Sequence, residues 1–149
     1  MTLKTVLITG CSAGGIGHAL VLAFQKRGFT VFATARSLNK MADLKTLPNV
    51  HLFALDVTSP ESIAVVVKEV EAKTGGTLDV LVNNAGGQYV MPLLDVDLDV
   101  GKTIFEVNYW AVLRMVQAFA DLLIAARGTI VNVGSAAGVV PLPFQGMFQ

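Results

Sequence analysis

The sequence predicts an α/β fold in which a doubly wound parallel sheet of about five strands carries helices on both faces. Five short runs of β-branched and aliphatic residues recur along the 149-residue chain, and segments with helical spacing lie between them. A glycine-rich stretch joins the first run to the first helical segment. Because strand and helix alternate, we expect right-handed crossovers between parallel strands in a single domain, residues 1–149.

The predicted strands are continuous apolar runs, which is the pattern of strands buried on both faces of a parallel sheet. They cover residues 5–9, 30–34, 50–55, 79–83 and 128–133. The predicted helices cover residues 16–27, 39–47, 63–73 and 99–126. The third helix has the clearest start, because Ser59 is a favoured N-cap residue and Pro60 a favoured first helical residue.

The composition argues against several classes of protein. Hydrophobic residues make up 53% of the chain and charged residues 15%, with 11 Lys and Arg against 11 Asp and Glu. The high hydrophobicity argues against an intrinsically disordered chain, and the balanced charge without a basic cluster argues against nucleic acid as a partner. The single cysteine, Cys11, excludes an internal disulfide and a zinc site of several thiolates, so we expect no metal.

Neither end of the sequence has the pattern of a secretion or membrane signal. The apolar run before Thr9 is too short for a signal peptide. Residues 128–149 carry no charge, but polar residues and prolines interrupt them, which predicts a buried strand and a loop rather than a membrane span. We expect a cytoplasmic protein, with peripheral attachment to a membrane or lipid droplet as the alternative.

The glycine-rich stretch runs from Thr9 to Gly17 as TGCSAGGIG. Glycines at a strand-to-helix junction allow a sharp turn and a close approach of phosphate to the backbone, and free N–H groups at the helix start face the anion. A phosphate-binding NTPase loop would end in Gly-Lys-Ser/Thr, whereas His18 and Ala19 follow here. The stretch therefore predicts a dinucleotide site, although a simple tight turn is the alternative and the strict G-x-G-x-x-G spacing is absent.

The end of the second strand indicates which dinucleotide would bind. Sites for NAD usually place an Asp or Glu there to hold the ribose hydroxyls, but this sequence reads Thr34-Ala35-Arg36. A guanidinium binds a 2′-phosphate, which a carboxylate would repel. The predicted cofactor is NADP(H), with a solvated surface cation as the alternative interpretation of Arg36.

Four separated signatures resemble one family, the short-chain dehydrogenases/reductases. In the family's order they are the loop ending in Gly15-Ile16-Gly17, Asp56-Val57, Asn83-Asn84-Ala85-Gly86 and Gly134-Ser135. The likeness extends along the whole chain, although the glycine loop is one residue longer than the usual TGxxxGIG. Within the family the chain looks most like fungal 1-acyl-dihydroxyacetone-phosphate reductases. The resemblance implies a Rossmann-type sheet and hydride transfer between NADP(H) and a carbonyl or hydroxyl substrate.

The resemblance also implies roles for individual residues. Asp56 would hydrogen-bond the adenine amino group with help from the Val57 backbone, or it would cap the following helix. Asn83 would pass beside the adenosine ribose. Ser135 would polarise the substrate carbonyl, with turn formation as the alternative. The predicted cofactor-binding residues are Gly10, Ser12, Gly15, Ile16, Gly17, Thr34, Arg36, Asp56, Val57, Asn83, Ala85 and Gly86.

Of four further residues considered, only Asn108 is placed in the predicted site. Asn108 is unfavourable inside a helix, and the matching family residue holds a water in a proton relay, so we place Asn108 with Ser135 as catalytic. Tyr109 and Trp110 are more typical of a core or a subunit interface than of substrate contacts. His18 has no matching role and is expected to be exposed.

The family's catalytic tyrosine and lysine have no counterpart in this sequence. The tyrosine follows the serine by about thirteen residues, where Phe148 stands, and a phenyl ring has no proton to donate. One hypothesis is therefore the cofactor-binding part of an oxidoreductase, with a sheet incomplete at its carboxyl-terminal side. The other is a catalytically silent nucleotide-binding or interaction protein.

The expected partners are small. The resemblance implies a carbonyl or hydroxyl substrate, and the subfamily likeness implies a lipid-like one. Strand five and residues 139–149 should expose apolar surface, which predicts a homo-oligomer.

Overall fold

The computed structural model describes residues 3–140 and 142–145 and contains one five-stranded parallel sheet. The strands are β1 (Thr5–Ile8), β2 (Thr30–Ala35), β3 (Val50–Ala54), β4 (Val80–Asn83) and β5 (Thr129–Asn132). Their spatial order is β3-β2-β1-β4-β5, so β1 lies at the centre and pairs in parallel with both β2 and β4. The chain winds outward from β1 on one side and then returns to the other, which confirms the predicted doubly wound sheet.

The helices connect these strands in the predicted order. They are α1 (Ile16–Lys26), α2 (Pro60–Thr74), α3 (Leu98–Phe105), α4 (Ala111–Ala118) and α5 (Ala120–Ala126). The connection after β2, predicted as a helix over 39–47, is a 3₁₀ segment, Leu38–Thr46, with a kink at Met41. We refer to Leu38–Thr46 as the 3₁₀ segment.

Two apolar layers cover the sheet, one on each face. Side chains that alternate along a strand point to opposite faces, so Leu7 of β1 packs with α2, α4 and α5, while its neighbours Val6 and Ile8 pack with α1 and the 3₁₀ segment. Phe32 and Leu81 join Leu7 on the first face. Helices therefore lie on both faces, as the sequence predicts.

The two outer strands differ from the prediction of strands buried on both faces. β1 is fully buried, but β3 is only half-buried, and every residue of β5 is exposed. Ile130 and Val131 of β5 are 43% and 41% exposed. The expectation of burial on both faces is wrong for β3 and β5, because a continuous apolar run does not distinguish a central strand from an edge strand. The expectation that strand five exposes apolar surface is confirmed.

The predicted single helix over 99–126 is divided into three parts. A π-helical turn, Glu106–Trp110, joins α3 to α4, and the chain bends by 58° at Phe119 before α5. Phe119 is fully buried, and the bend lets Met115 of α4 and Leu122 of α5 enter the same apolar layer. Among the described residues no single helix is long and apolar enough to cross a membrane. Leu98–Ala118 and Ala120–Ala126 would be long and apolar enough only if they were counted together across the bend.

The start of α2 follows the prediction closely. The Ser59 side chain accepts a hydrogen bond from the backbone N–H of Ser62 at 3.1 Å, and Pro60 occupies the first helical position. The helix ends at Gly75, whose φ of 71° lies in the left-handed region that favours glycine. Ile63, Val66 and Val70 then form the buried stripe of α2.

We expect Ser59→Ala to lower the free energy of unfolding by about 1 kcal/mol, because the N–H of Ser62 loses its acceptor. Urea unfolding followed by circular dichroism measures the change. Ser37→Ala is the matched control, since Ser37 also precedes a helical segment but its side chain makes no capping hydrogen bond. Equal losses in the two variants would contradict the assignment of Ser59 as the cap.

Candidate functional site

A cavity of about 950 Å³ lies at the carboxyl edge of the sheet, beside the loops after β1 and β4. This volume is within the range of about 300–1,000 Å³ typical of small-molecule sites. The loops after β1, β2, β3 and β4 form its walls together with the end of α3 and the π-helical turn. The lining residues are Gly10, Ser12, Gly15, Ile16, Ala35, Arg36, Leu55, Asp56, Val57, Thr58, Asn84, Ala85, Gly86, Gly87, Lys102, Thr103, Ile104, Glu106 and Val107.

The glycine loop packs closely against the neighbouring backbone, and two of its glycines have no room for a side chain. A Cβ on Gly17 would lie 2.5 Å from both the carbonyl oxygen of Gly10 and the Asn84 side chain. Gly10 has a φ of 73°, and a Cβ there would lie 2.9 Å from the Cα of Ala85. The loop therefore packs against the loop after β4, and α1 begins directly beside the cavity.

Thr9 and Asn84 fasten these two loops together. The Thr9 hydroxyl accepts hydrogen bonds from the backbone N–H groups of Asn84 and Ala85, at 3.0 and 2.9 Å. The Asn84 amide nitrogen donates to the carbonyl oxygens of Thr9 and Gly10, at 2.8 and 3.1 Å. Sequence reasoning assigned no individual role to either residue, although Asn84 stands inside the Asn83-Asn84-Ala85-Gly86 signature.

Arg36 stands where the cavity opens beside the end of β2. Its side chain is exposed and lines the cavity. Among the described residues, no carboxylate lies within 4.0 Å of its guanidinium group. The end of β2 thus presents to the cavity a cation that makes no direct ion pair among the described residues.

Asp56 and Val57 lie on the neighbouring wall, after β3. The Asp56 carboxylate accepts hydrogen bonds from the backbone N–H and the hydroxyl of Thr58, at 2.9 and 2.7 Å. These two bonds, of which the bond from the N–H has the larger effect, hold the pKa of Asp56 below its usual range. The positive charge of Arg36 also lowers this pKa, and burial opposes the shift. Asp56 is therefore an acceptor-only group at neutral pH. The cap of α2 is Ser59, so Asp56 shapes the turn before that helix rather than capping it.

Three predicted cofactor-binding residues lie behind the cavity wall rather than on it. Gly17 packs against Gly10 and Asn84. The Thr34 hydroxyl is buried and donates to the carbonyl oxygen of Ile8 at 3.0 Å. Asn83, predicted beside the adenosine ribose, is instead buried in the sheet, where it donates to the Asn132 side chain at 2.9 Å. These residues support the loops that form the cavity.

The predicted catalytic residue Asn108 occupies the π-helical turn. Its amide oxygen accepts from the backbone N–H of Gly87 at 2.9 Å, and its amide nitrogen donates to the Gly87 carbonyl at 2.8 Å. Gly87 belongs to the cavity wall. The π turn, a feature frequent at functional sites, thus brings Asn108 to the edge of the cavity without placing it among the lining residues.

Ser135 follows β5 and is exposed near the same edge of the sheet. Its hydroxyl oxygen accepts the backbone N–H of Ala137 at 3.1 Å, which is the turn chemistry named as the alternative for this residue. A hydroxyl that accepts one bond still has its own hydrogen to donate. Phe148 lies outside the described residues.

Four other residues discussed in the sequence analysis do not line the cavity. Burial raises the pKa of the Cys11 thiol to about 12, so Cys11 is not a nucleophile. His18, expected to be exposed, is only 15% exposed and bonds Asp43 at 2.7 Å. Tyr109 and Trp110 are 54% and 50% exposed, so neither is a core residue. The described residues contain no group of three or more side chains able to hold a metal ion.

We expect Gly17→Ala to lower the free energy of unfolding by about 1–3 kcal/mol, because the added Cβ has backbone atoms of Gly10 within 3.0 Å. Urea unfolding gives the value. The control is Gly138→Ala, since a Cβ at Gly138 meets nothing within 4 Å. The close packing of the two loops would be contradicted if Gly17→Ala were as stable as the control.

The sequence matches known proteins along almost its whole length. The sequence model of the family described as short chain dehydrogenase matches residues 4–149. The chain is 58% identical over 137 residues to the short-chain dehydrogenase ptmH of Penicillium ochrochloron, covering 92% of this chain and 51% of that protein. It is 45% identical over 146 residues to the NADPH-dependent 1-acyldihydroxyacetone phosphate reductase of Schizosaccharomyces pombe, covering 98% of this chain and 49% of that protein.

The chain spans about half the length of the curated relatives it matches. Among solved structures, it resembles an alcohol dehydrogenase from the archaeon Thermococcus sibiricus complexed with 5-hydroxy-NADP, with a TM-score of 0.90 and 29% identity over 99% of this chain and 64% of that one. The sheet order, the glycine loop and the family match along residues 4–149 agree, and the chain belongs to the short-chain dehydrogenase family.

Proposed function

We propose that this chain forms the NADP(H)-binding part of an oxidoreductase that transfers hydride between NADP(H) and the carbonyl or hydroxyl group of a small molecule. The observation that carries the proposal is Arg36, an exposed cation on the cavity wall at the end of β2. NAD sites usually carry a carboxylate there. The name of the S. pombe relative and the NADP analogue in the T. sibiricus structure support the same cofactor.

The residues present fit a dinucleotide with a 2′-phosphate. The missing side chain at Gly10 and the start of α1 leave room and free N–H groups for a pyrophosphate. Arg36 would hold the 2′-phosphate by charge-assisted hydrogen bonds. The Asp56 carboxylate would accept from the adenine amino group, and Ala85 and Gly86 form a wall without bulky side chains. When bound, the nicotinamide would supply or accept the hydride.

The chain's own polar groups would orient the substrate and fix the wall beside it. Ser135 would donate its free hydrogen to the substrate carbonyl oxygen, because its oxygen already accepts from Ala137. Asn108 would hold Gly87 in place through two hydrogen bonds. The amide of Asn108 keeps a second hydrogen and a second lone pair for a water molecule.

The proposed partners are a small-molecule substrate and a second copy of the chain. The S. pombe relative, named for an acylated substrate, supports a lipid-like carbonyl compound. Tyr109 and Trp110 form an exposed aromatic pair, with ring centroids 4.9 Å apart in an edge-to-face arrangement. This pair supports a subunit interface on that side of the molecule.

A second candidate function is nucleotide binding without catalysis, and Phe148 favours it. In the resemblance the catalytic tyrosine stands at this position, and no tyrosine follows Tyr109 in the sequence. The transcript downstream of codon 149 separates the two candidates. An open frame that supplies a lysine at the family's spacing favours the enzyme, and a stop codon favours the silent protein.

We expect the 149-residue chain to bind NADPH but to reduce ketones and keto-esters negligibly, because Phe148 cannot donate a proton to the developing alkoxide. Loss of NADPH absorbance with a panel of carbonyl compounds measures turnover. Turnover of about 1 per second or more, a rate ordinary for enzymes, would contradict this expectation.

We expect Arg36→Met to raise the dissociation constant for NADPH by about 10- to 100-fold and to leave that for NADH almost unchanged, since only NADPH carries the 2′-phosphate. Titration of cofactor fluorescence measures both constants. Lys45→Met is the matched control, because Lys45 is an exposed cation of the 3₁₀ segment that does not line the cavity. If Arg36→Met weakened both cofactors equally, the proposed choice of NADP(H) would be wrong.

A further inference from the structure

We infer that the hydrogen bond between His18 and Asp43 is a latch that positions Arg36 and so sets the preference for NADPH over NADH. The inference rests on the proposed function and extends it to two residues outside the cavity. Neither residue lines the cavity, so both act through their neighbours as positioning residues.

The latch joins two parts of the chain that each adjoin a residue of the cavity wall. His18 is the third residue of α1 and directly follows the glycine loop, which carries Ser12 on the cavity wall. Asp43 belongs to the 3₁₀ segment, which begins two residues after Arg36. A 2′-phosphate held between Ser12 and Arg36 would contact both parts.

The bond itself is short and partly shielded from water. The His18 Nε2 and Asp43 Oδ2 atoms lie 2.7 Å apart, and the two side chains are 15% and 56% exposed. Because an ionised carboxylate has no hydrogen, the imidazole donates through Nε2–H. Among the described residues, a basic side chain lies within 4.0 Å of a carboxylate in three places. Only the His18–Asp43 contact joins elements distant in the chain, since Lys102–Asp99 and Arg114–Glu106 each lie within one helical stretch.

Two further sets of contacts hold the 3₁₀ segment near α1 and the glycine loop. Met41 and Leu44 of the 3₁₀ segment are buried in the same apolar cluster as Val21 of α1. The backbone N–H of Ala13 in the glycine loop donates to the carbonyl oxygen of Lys40 at 2.8 Å. The apolar contacts fix the distance between the segment and α1, and the two hydrogen bonds fix their alignment near the loop.

Arg36 depends on this alignment because its own side chain has no carboxylate partner among the described residues. Its position follows from the backbone between β2 and the 3₁₀ segment. NADH has no 2′-phosphate for Arg36 to hold, so misalignment should weaken NADPH and leave NADH largely unaffected. A contact that only stabilised the fold would not change the ratio of the two affinities.

The test measures the ratio of dissociation constants, NADH over NADPH, for the folded wild-type chain and its variants by fluorescence titration. We expect His18→Ala and Asp43→Ala each to lower the ratio by about three- to tenfold, and the double variant to lower it no further. Asp43→Asn keeps an oxygen acceptor for Nε2–H and should retain most of the wild-type ratio. Asp121→Ala, which removes an exposed carboxylate on α5, is the control and should leave the ratio unchanged.

The outcomes separate the inference from the function on which it rests. A wild-type ratio near one overturns the proposed NADP(H) preference, and the latch with it. A clear wild-type preference for NADPH that persists in both alanine variants, even with a lower unfolding midpoint, overturns the latch alone. A reduced ratio in the alanine variants with recovery in Asp43→Asn supports the inference.

Discussion

The loops after β1 and β4 pack closely against each other, and the rest of the site depends on this contact. Four hydrogen bonds cross it: the Thr9 hydroxyl accepts from the backbone N–H groups of Asn84 and Ala85, and the Asn84 side-chain amide donates to the carbonyl oxygens of Thr9 and Gly10. The contact is possible only because Gly10 and Gly17 lack a Cβ. It holds the start of α1 beside the cavity, where free N–H groups face a bound phosphate.

The cavity has a positive and a negative side chain on neighbouring walls. Arg36 stands at one end without a partner carboxylate among the described residues, and Asp56 stands on the next wall with a lowered pKa. A cation next to an acceptor-only carboxylate suits a ligand that carries a phosphate and an amino group a short distance apart. The adenosine half of NADP(H) has both, so the arrangement of charge supports the proposed cofactor more specifically than the shape of the loop does.

Sequence reasoning predicted the order of strands and helices, the glycine loop and the cap at Ser59, because each depends on residues close together in the chain. Its expectation that β3 and β5 are buried on both faces was wrong, since exposure at a sheet edge depends on neighbours distant in sequence. It placed Asn83 beside the ribose, whereas the Asn83 side chain lies in the sheet and does not line the cavity. Asn83 is the last residue of β4 and points into the sheet, whereas Asn84 lies past the strand end and faces the loop after β1. His18 was expected to be exposed because it has no matching role in the family, and its contact with Asp43, 25 residues away, was missed.

The central claim is that Arg36 recognises a 2′-phosphate in this cavity, and phosphorus NMR of NADPH with the wild-type chain tests it most directly. The account predicts that binding shifts both the pyrophosphate and the 2′-phosphate resonances, and that the nearby guanidinium lowers the pKa of the bound 2′-phosphate. A shift of the pyrophosphate resonances alone, with the 2′-phosphate titrating as in free NADPH, would contradict it.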